Sequence, residues 1–255
     1  MPVGNSGWLR GLAAALGVLL IAIFLLVWIL RASYESRLRQ QIWPGHAPET
    51  TVISNLPAGP ARTVLLLGDS RMAQWGLPQL AHWRVINAGT SGLTTAQIRL
   101  AMPALLDQFR PDVVVLQAGI NDLKFLGLRP EMTSQVVSLA MSNITAMVNE
   151  GAQRHCKVVL LRIWPAGPLS LARYLVWNGA VSPAVGQLNG QLSLLVSAKM
   201  GIRVVDLFKE AGLKPEAEFY RDTLHLTPAA YQRMTPLLER ELDEAGPNPG
   251  VAGQH

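Results

Sequence analysis

The sequence predicts an α/β chain: a three-layer α/β/α sandwich around a five-stranded parallel sheet, preceded by one N-terminal transmembrane helix. Three observations carry that prediction. Five short apolar runs alternate with stretches of helical spacing, and such alternation builds parallel strands with helices on both faces. Several of these runs end abruptly in glycine, carboxylate, amide or hydroxyl residues, as strands do where a sheet gathers its chemistry. Finally, Gly11 to Leu30 is a run of twenty residues without a charge.

The elements follow in order. After a tail over residues 1–10, residues 11–30 form a helix about 30 Å long, one hydrocarbon thickness. Trp8 and Trp28 lie near its ends and Arg10 and Arg31 close it. A cleaved signal peptide fits less well, because the run is long and Leu30-Arg31-Ala32 lacks a small-x-small cleavage pattern. Residues 31–62 read as a juxtamembrane segment and linker, with a short charged helix to Gln41 and then Pro44, Pro48, Pro57 and Pro60. The main domain is expected over 63–245. Thr63 to Leu67 is the first strand, Trp75 to Trp83 a short helix, Arg84 to Ala88 the second strand, and Thr94 to Phe109 a helix that Pro103 interrupts. Asp112 to Gln117 is the strongest buried-strand signal. Glu131 to Glu150 is a long amphipathic helix, Lys157 to Ile163 the fourth strand, Pro183 to Met200 a helix and Ile202 to Asp206 the fifth strand. Thr227-Pro228 caps a last helix that runs to about Ala245, and residues 246–255 read as a disordered tail.

Charge and composition narrow the function. Of the formal net charge of +5, Arg10, Arg31, Arg37 and Arg39 against Glu35 account for three units, so the rest of the chain is nearly balanced. No nucleic-acid surface is indicated. Cys156 is the only cysteine, which excludes an intramolecular disulfide and a cysteine metal cluster. No pair of histidines or carboxylates shows ligand spacing, so no metal site is expected.

Chemistry concentrates in four short segments. Gly68-Asp69-Ser70 ends the first strand, and Asn87-Ala88-Gly89 ends the second. Gly119-Ile120-Asn121-Asp122 follows the third, and Asp222-Thr223-Leu224-His225 precedes the last helix. Taken singly, each has a plain reading as a turn or cap. Ser70 is the candidate nucleophile, and a serine hydroxyl needs a base and a group that orients the base; His225 and Asp222 supply both types. Together the segments, in this order, resemble the SGNH hydrolase superfamily, also called the GDSL esterases and lipases, over roughly Thr63 to Leu238. The resemblance implies a flavodoxin-like sandwich with Ser70 as nucleophile, His225 as base and Asp222 as its orienting carboxylate. It also implies an oxyanion hole of the Ser70 N–H, the Gly89 N–H and the Asn121 side-chain amide. Elementary chemistry agrees, since ester cleavage develops negative charge that converging N–H donors stabilise. Asp69 and Asp122 are read as braces of their loops.

Two residues depart from or extend the pattern. Arg71 stands after the serine where the family often has leucine or isoleucine, and either meets an anionic substrate group or pairs outward. Trp164, in the loop Trp164-Pro165-Ala166-Gly167-Pro168, either lines the substrate pocket or belongs to the core. The expected activity is hydrolysis of an acyl or acetyl ester without a cofactor, on a small-molecule, lipid or glycan substrate. An acyltransferase acting on cell-envelope polysaccharide uses the same residues, and an inactive scaffold needs none of the four segments. The positive-inside rule applied to Arg31, Arg37 and Arg39 favours a cytoplasmic domain. The short tail with Arg10 and the habit of tethered relatives favour a periplasmic one, which is the expectation adopted.

Overall fold

The computed structural model describes residues 6–55, 62–197 and 200–245. The expected tail at 246–255, Pro57 and Pro60 lie outside the described residues. The chain divides into two compact units, residues 1–40 and 41–255. Helix α1, Ser6–Ile42, supplies the described part of the first. Its apolar side chains from Trp8 to Leu30 are largely exposed, and it is the one described helix long and apolar enough to cross a membrane, with a mean hydropathy of 3.0. The helix continues beyond Arg31 because Ala, Glu, Leu, Arg and Gln all favour helix.

The second unit is built on a six-stranded sheet, and here the expectation of five purely parallel strands is corrected. Strands β2 (Arg62–Gly68), β3 (Trp83–Asn87), β4 (Val113–Gln117), β5 (Lys157–Leu161) and β6 (Ile202–Val205) are the five read from the sequence, all parallel. A sixth, β1 (Ile53–Ser54), pairs antiparallel with β3 at the edge, making the sheet mixed, in the order β1-β3-β2-β4-β5-β6. Asn55 fixes this pairing: its Oδ1 accepts from the Val85 N–H at 2.6 Å and its N–H donates to the Val85 carbonyl at 3.1 Å. Two residues in a proline-rich stretch give no periodicity to read, which is why this segment looks like linker.

Both faces of the sheet are covered. Alternate side chains of β2, Val64 and Leu66, join one core with Trp83, Trp164, Tyr231, Met234 and Leu238. Several of that core's side chains come from helix α8, Pro228–Ala245. The opposite face meets α3 (Thr95–Phe109) and α5 (Thr133–Gln153): Gly151 of α5 sits so close to Val158 that a Cβ there would lie 2.9 Å from Cγ2. Pro103 lies inside α3 without ending it. Helix α2 is Ser70–Trp75 rather than Trp75 to Trp83, because Gly76 at φ +64° ends it and Pro78 follows. Helix α4, Ile120–Leu123, is one turn; α6, Val181–Leu192, stops short of Met200; and α7, Leu207–Glu210, follows β6.

The strand order places the site. From β2 the chain crosses to β3 on one side, and β4 lies on the other. The carboxyl end of β2 is therefore the switch point where an open α/β sheet leaves a crevice. Ser70 stands there.

Candidate active site

Ser70 is the first residue of α2, immediately after the strand. Asp69 caps the helix, accepting from the Arg71 N–H at 2.9 Å. The tight turn depends on small neighbours: a Cβ at Gly68 would lie 2.2 Å from the Gln117 carbonyl oxygen, and one at Gly89 would lie 2.3 Å from Ala73 N. Glycine at 89 thus lets β3 close against α2. Ser70 itself is 9% exposed.

His225 arrives from the far end of the chain. Its loop is held by a bridge between Tyr220 and Leu226 and by Arg221 N–H donating to the His225 carbonyl at 2.8 Å. The imidazole Nε2 lies 2.9 Å from Ser70 Oγ, and Nδ1 lies 2.7 Å from Asp222 Oδ2. With the proton on Nδ1, His225 donates to Asp222 and presents a lone pair to the serine hydroxyl. Asp222 Oδ1 also accepts from the N–H groups of Leu224 and His225, at 2.8 and 3.0 Å. Burial alone pushes its carboxyl up, but these bonds outweigh that and hold it below the usual carboxylate range. The structure therefore brings Ser70, His225 and Asp222 into one hydrogen-bonded chain.

Asn121, in α4, is buried, and one of its amide hydrogens is given to the Leu93 carbonyl at 2.8 Å. Among the described residues its second amide hydrogen has no acceptor. Next to it, Asp122 accepts from the Thr95 N–H and hydroxyl at 2.9 and 2.6 Å, and Asn143 donates to the same hydroxyl at 3.1 Å. Full burial nevertheless raises the Asp122 carboxyl to about 6. Burial likewise raises Asp69, against the pull of Arg71.

For three expected site residues the structure shows the following surroundings, and for Trp164 they match the core alternative. The Gly89 N–H donates to Asn87 Oδ1 at 2.8 Å, while the Asn87 amide binds the Met72 and Gly76 carbonyls, so this N–H is already engaged. Arg71 is 1% exposed, and its guanidinium donates to the carbonyls of Leu224, Trp164 and Pro165 at 3.0, 2.8 and 3.4 Å. It faces the protein's own backbone, tying the histidine loop to the loop after β5. Trp164 is equally buried, packed edge-on against Trp75 and Tyr231 with ring centroids 6.1 and 5.8 Å apart, and belongs to the core.

Other residues of the site carried weaker signals. Gly92 has φ +85° in the loop that supplies the Leu93 carbonyl to Asn121. Thr94 opens α3 with its N–H bonded to Gln97 Oε1 at 3.1 Å, a capping pair visible as Thr-x-x-Gln. Lys124, directly after α4, is pushed down to about 8 by burial and then by the cation of Arg173, against the opposing pull of Asp69 and Asp122. It places a cation beside the nucleophile loop.

The sequence matches the family model described as GDSL-like Lipase/Acylhydrolase over residues 66–233. It is 33% identical over 118 residues to Esterase TesA of Pseudomonas aeruginosa, covering 40% of this chain and 55% of that protein. It is 32% identical over 107 residues to the Thioesterase 1/protease 1/lysophospholipase L1 of Escherichia coli K12, covering 37% and 51%. The chain thus spans about half the length of the curated relatives it matches. Among solved structures, a GDSL-like lipase from Bacteroides thetaiotaomicron shares the fold, with a TM-score of 0.56, 19% identity and coverage of 74% of this chain and 93% of that one.

Proposed function

The chain belongs to the GDSL-like lipase/acylhydrolase family, and on that premise we propose that it is a serine esterase cleaving an acyl or acetyl ester through an acyl-enzyme. The observation that carries this reading is the continuous Asp222–His225–Ser70 hydrogen-bond chain at the carboxyl end of β2. Ser70 Oγ attacks the ester carbonyl while His225 Nε2 takes its proton; His225 then returns that proton to the leaving alcohol. Water repeats the sequence on the acyl-enzyme and frees the acid. Asp222 holds the imidazole in the tautomer that both steps need. Every proton and electron pair is accounted for by these three residues, the ester and water.

The tetrahedral intermediate needs donors aimed at its oxygen. The free hydrogen of the Asn121 amide and the Ser70 N–H serve as two. For the third, Gly92 suits better than Gly89, whose N–H is engaged with Asn87. Gly92 lies one residue from the carbonyl that orients Asn121, in a positive-φ conformation that a side chain would oppose.

We also place residues 11–30 of the N-terminal helix in a membrane, with the catalytic unit on the periplasmic side. Protease added to intact spheroplasts is expected to digest the catalytic unit; full protection would reverse the topology. For the activity, a fluorophosphonate probe is expected to label the full-length protein in detergent and to fail on Ser70→Ala. Hydrolysis of p-nitrophenyl acetate is expected to fall in the same variant by roughly 10⁴–10⁶-fold. Labelling and turnover that survive in Ser70→Ala would remove Ser70 from the chemistry.

A further inference from the structure

The mouth of the site is crossed by a strap. After β5 the chain passes Trp164 and forms a single 3-10 turn over Leu171–Leu175 before α6. Its near end is pinned to the histidine loop. The Gly167 N–H donates to the Thr223 carbonyl at 2.9 Å, the Thr223 hydroxyl donates to the Pro168 carbonyl at 3.0 Å, and the Ser170 N–H donates to that hydroxyl at 3.3 Å. Its far end is pinned to the turn behind Asn121: the Asn178 amide donates to the Leu126 and Gly127 carbonyls at 3.0 and 3.3 Å. Between these anchorages the strap turns apolar side chains outward. Leu171 is 88% exposed and Tyr174 65%, with Leu175 beside them.

An apolar crown on a turn that spans a catalytic mouth calls for a cover. Two further observations say which. First, the chain enters the catalytic unit at this same mouth. The Gln41 carbonyl accepts from the Thr94 hydroxyl at 2.6 Å, and the Trp43 ring packs edge-on against Phe125, with centroids 6.3 Å apart, on the turn behind Asn121. Gln41 comes only eleven residues after Leu30, the end of the apolar run. Chain length alone keeps that entry point within about 40 Å of the run. Second, the rim is basic. Arg173 on the strap suits an anionic headgroup, and the largely buried Lys124 beneath it is close enough to be repelled by that cation.

We propose that the strap Leu171–Leu175 docks the mouth of the site on the bilayer that holds the N-terminal helix, Leu171 and Tyr174 entering the interface, so that the ester cleaved belongs to a membrane lipid. This rests on the hydrolase and anchor readings above and adds the substrate class and the direction from which it arrives. A phospholipid is the occupant that supplies apolar tails for the crown and a phosphate for Arg173.

The test uses the full chain in phosphatidylcholine–phosphatidylglycerol nanodiscs. Cys156 is the single native cysteine and is buried, so a bimane label can be placed on Tyr174→Cys, with Gln153→Cys before β5 as the comparison site. Brominated phosphatidylcholine is expected to quench the label at 174 several-fold more than at 153. The double variant Leu171→Ser/Tyr174→Ser is expected to cleave a phospholipid ester in the disc about tenfold more slowly while hydrolysing p-nitrophenyl acetate within about twofold of wild type. Equal quenching at both sites would overturn the proposal. So would an equal loss in the double variant on the same phospholipid dispersed as monomers, which would make the crown an acyl-chain pocket. A doubled mass in detergent that the double variant abolishes, without bromine quenching, would assign the face to a second copy of the chain. Failure of the wild type on p-nitrophenyl acetate would count against the hydrolase reading instead, and the quenching arm would still decide the docking.

Discussion

Asp69 and Asp122 lie buried to within 1% beside Ser70 and Asn121, whereas the side chain of Asp222, on the opposite wall of the same cleft, is 49% exposed. The two walls treat the same chemical group in opposite ways. Burial raises the carboxyls of the inner pair. On the outer wall, hydrogen bonds from His225 and the loop backbone hold the Asp222 carboxyl down. The inner wall uses carboxylates as braces: Asp122 holds Thr95 at the start of α3, and Asp69 caps α2. The outer wall keeps one charged and partly solvated, as the proposed reaction requires of the partner of a base that becomes imidazolium twice per turnover. Rigidity and charge are thereby assigned to different walls of the site.

The largest expected effect breaks the outer wall alone. Asp222→Asn removes the carboxylate that fixes the imidazole tautomer, and kcat is expected to fall by about 10⁴-fold. Because the side chain is half exposed and its bonds are local to its own loop, the melting temperature is expected to stay near wild type. Steady-state kinetics and calorimetry on one preparation check both halves. A normal rate would move the orienting role to another acid, with Asp206 at the end of β6 the next to test.

On the inner wall, Asn121→Ala is expected to lower kcat by about 10²–10³, or roughly 2.7–4 kcal/mol, with KM little changed. Stability falls as well, because the Leu93 carbonyl loses its donor. A lowered melting temperature therefore does not by itself demote Asn121. The discriminating variant is Asn121→Asp, which keeps the size but turns an acceptor toward the developing charge, and it is expected to be as slow as the alanine or slower. Unchanged kcat in both folded variants would take Asn121 out of the oxyanion hole.

Arg71 joins the two walls, and its removal sharpens the contrast between them. Arg71→Met leaves the carbonyls of Trp164 and Leu224 without their donor, while the Pro165 carbonyl keeps the Tyr220 hydroxyl, at an expected cost of about 3 kcal/mol in unfolding free energy by urea denaturation. Leu224 precedes His225, so kcat is expected to drop as well, with neutral and anionic esters affected alike. A loss confined to anionic esters would show that Arg71 binds substrate.

The five parallel strands and the His225–Asp222 and Ser70 positions are legible in the sequence because each depends on local signals: uninterrupted β-branched runs, a strand that stops in Gly-Asp-Ser, a carboxylate three residues before an imidazole. Arg71 was not, since nothing local reveals that a cation beside a nucleophile will spend its donors on carbonyls about 93 and 153 residues away. Gly89 and Gly92 are likewise indistinguishable by residue type. Only the Asn87 side chain, folded back onto the Gly89 N–H, separates them. Strand β1 is two residues long, too short for a period of two to register.

The smallest expected effect is a pH dependence in stability that differs in sign between the walls. Asp122 titrates near 6 in the folded chain against 3.8 unfolded. Between those values the folded state holds the extra proton, so this group's contribution is fully present below about pH 4 and is lost as pH rises through 6, in total about 3 kcal/mol for a shift of about two units. Asp222, held down, acts the other way: its contribution is present above about pH 4 and is lost as pH falls. Asp122→Asn keeps the shape and an acceptor for the Thr95 N–H, with an amide able to donate to the Thr95 hydroxyl, and has nothing to titrate. The difference in melting temperature, variant minus wild type, is expected to become more positive from pH 4 to pH 7.5. Asp69, raised for the same reason, is present in both proteins and largely cancels. A difference that stays flat across that range would mean that the hydrogen bonds from Thr95 and Asn143's hold on its hydroxyl stabilise the Asp122 anion fully against its burial, and that the inner wall carries charge just as the outer one does.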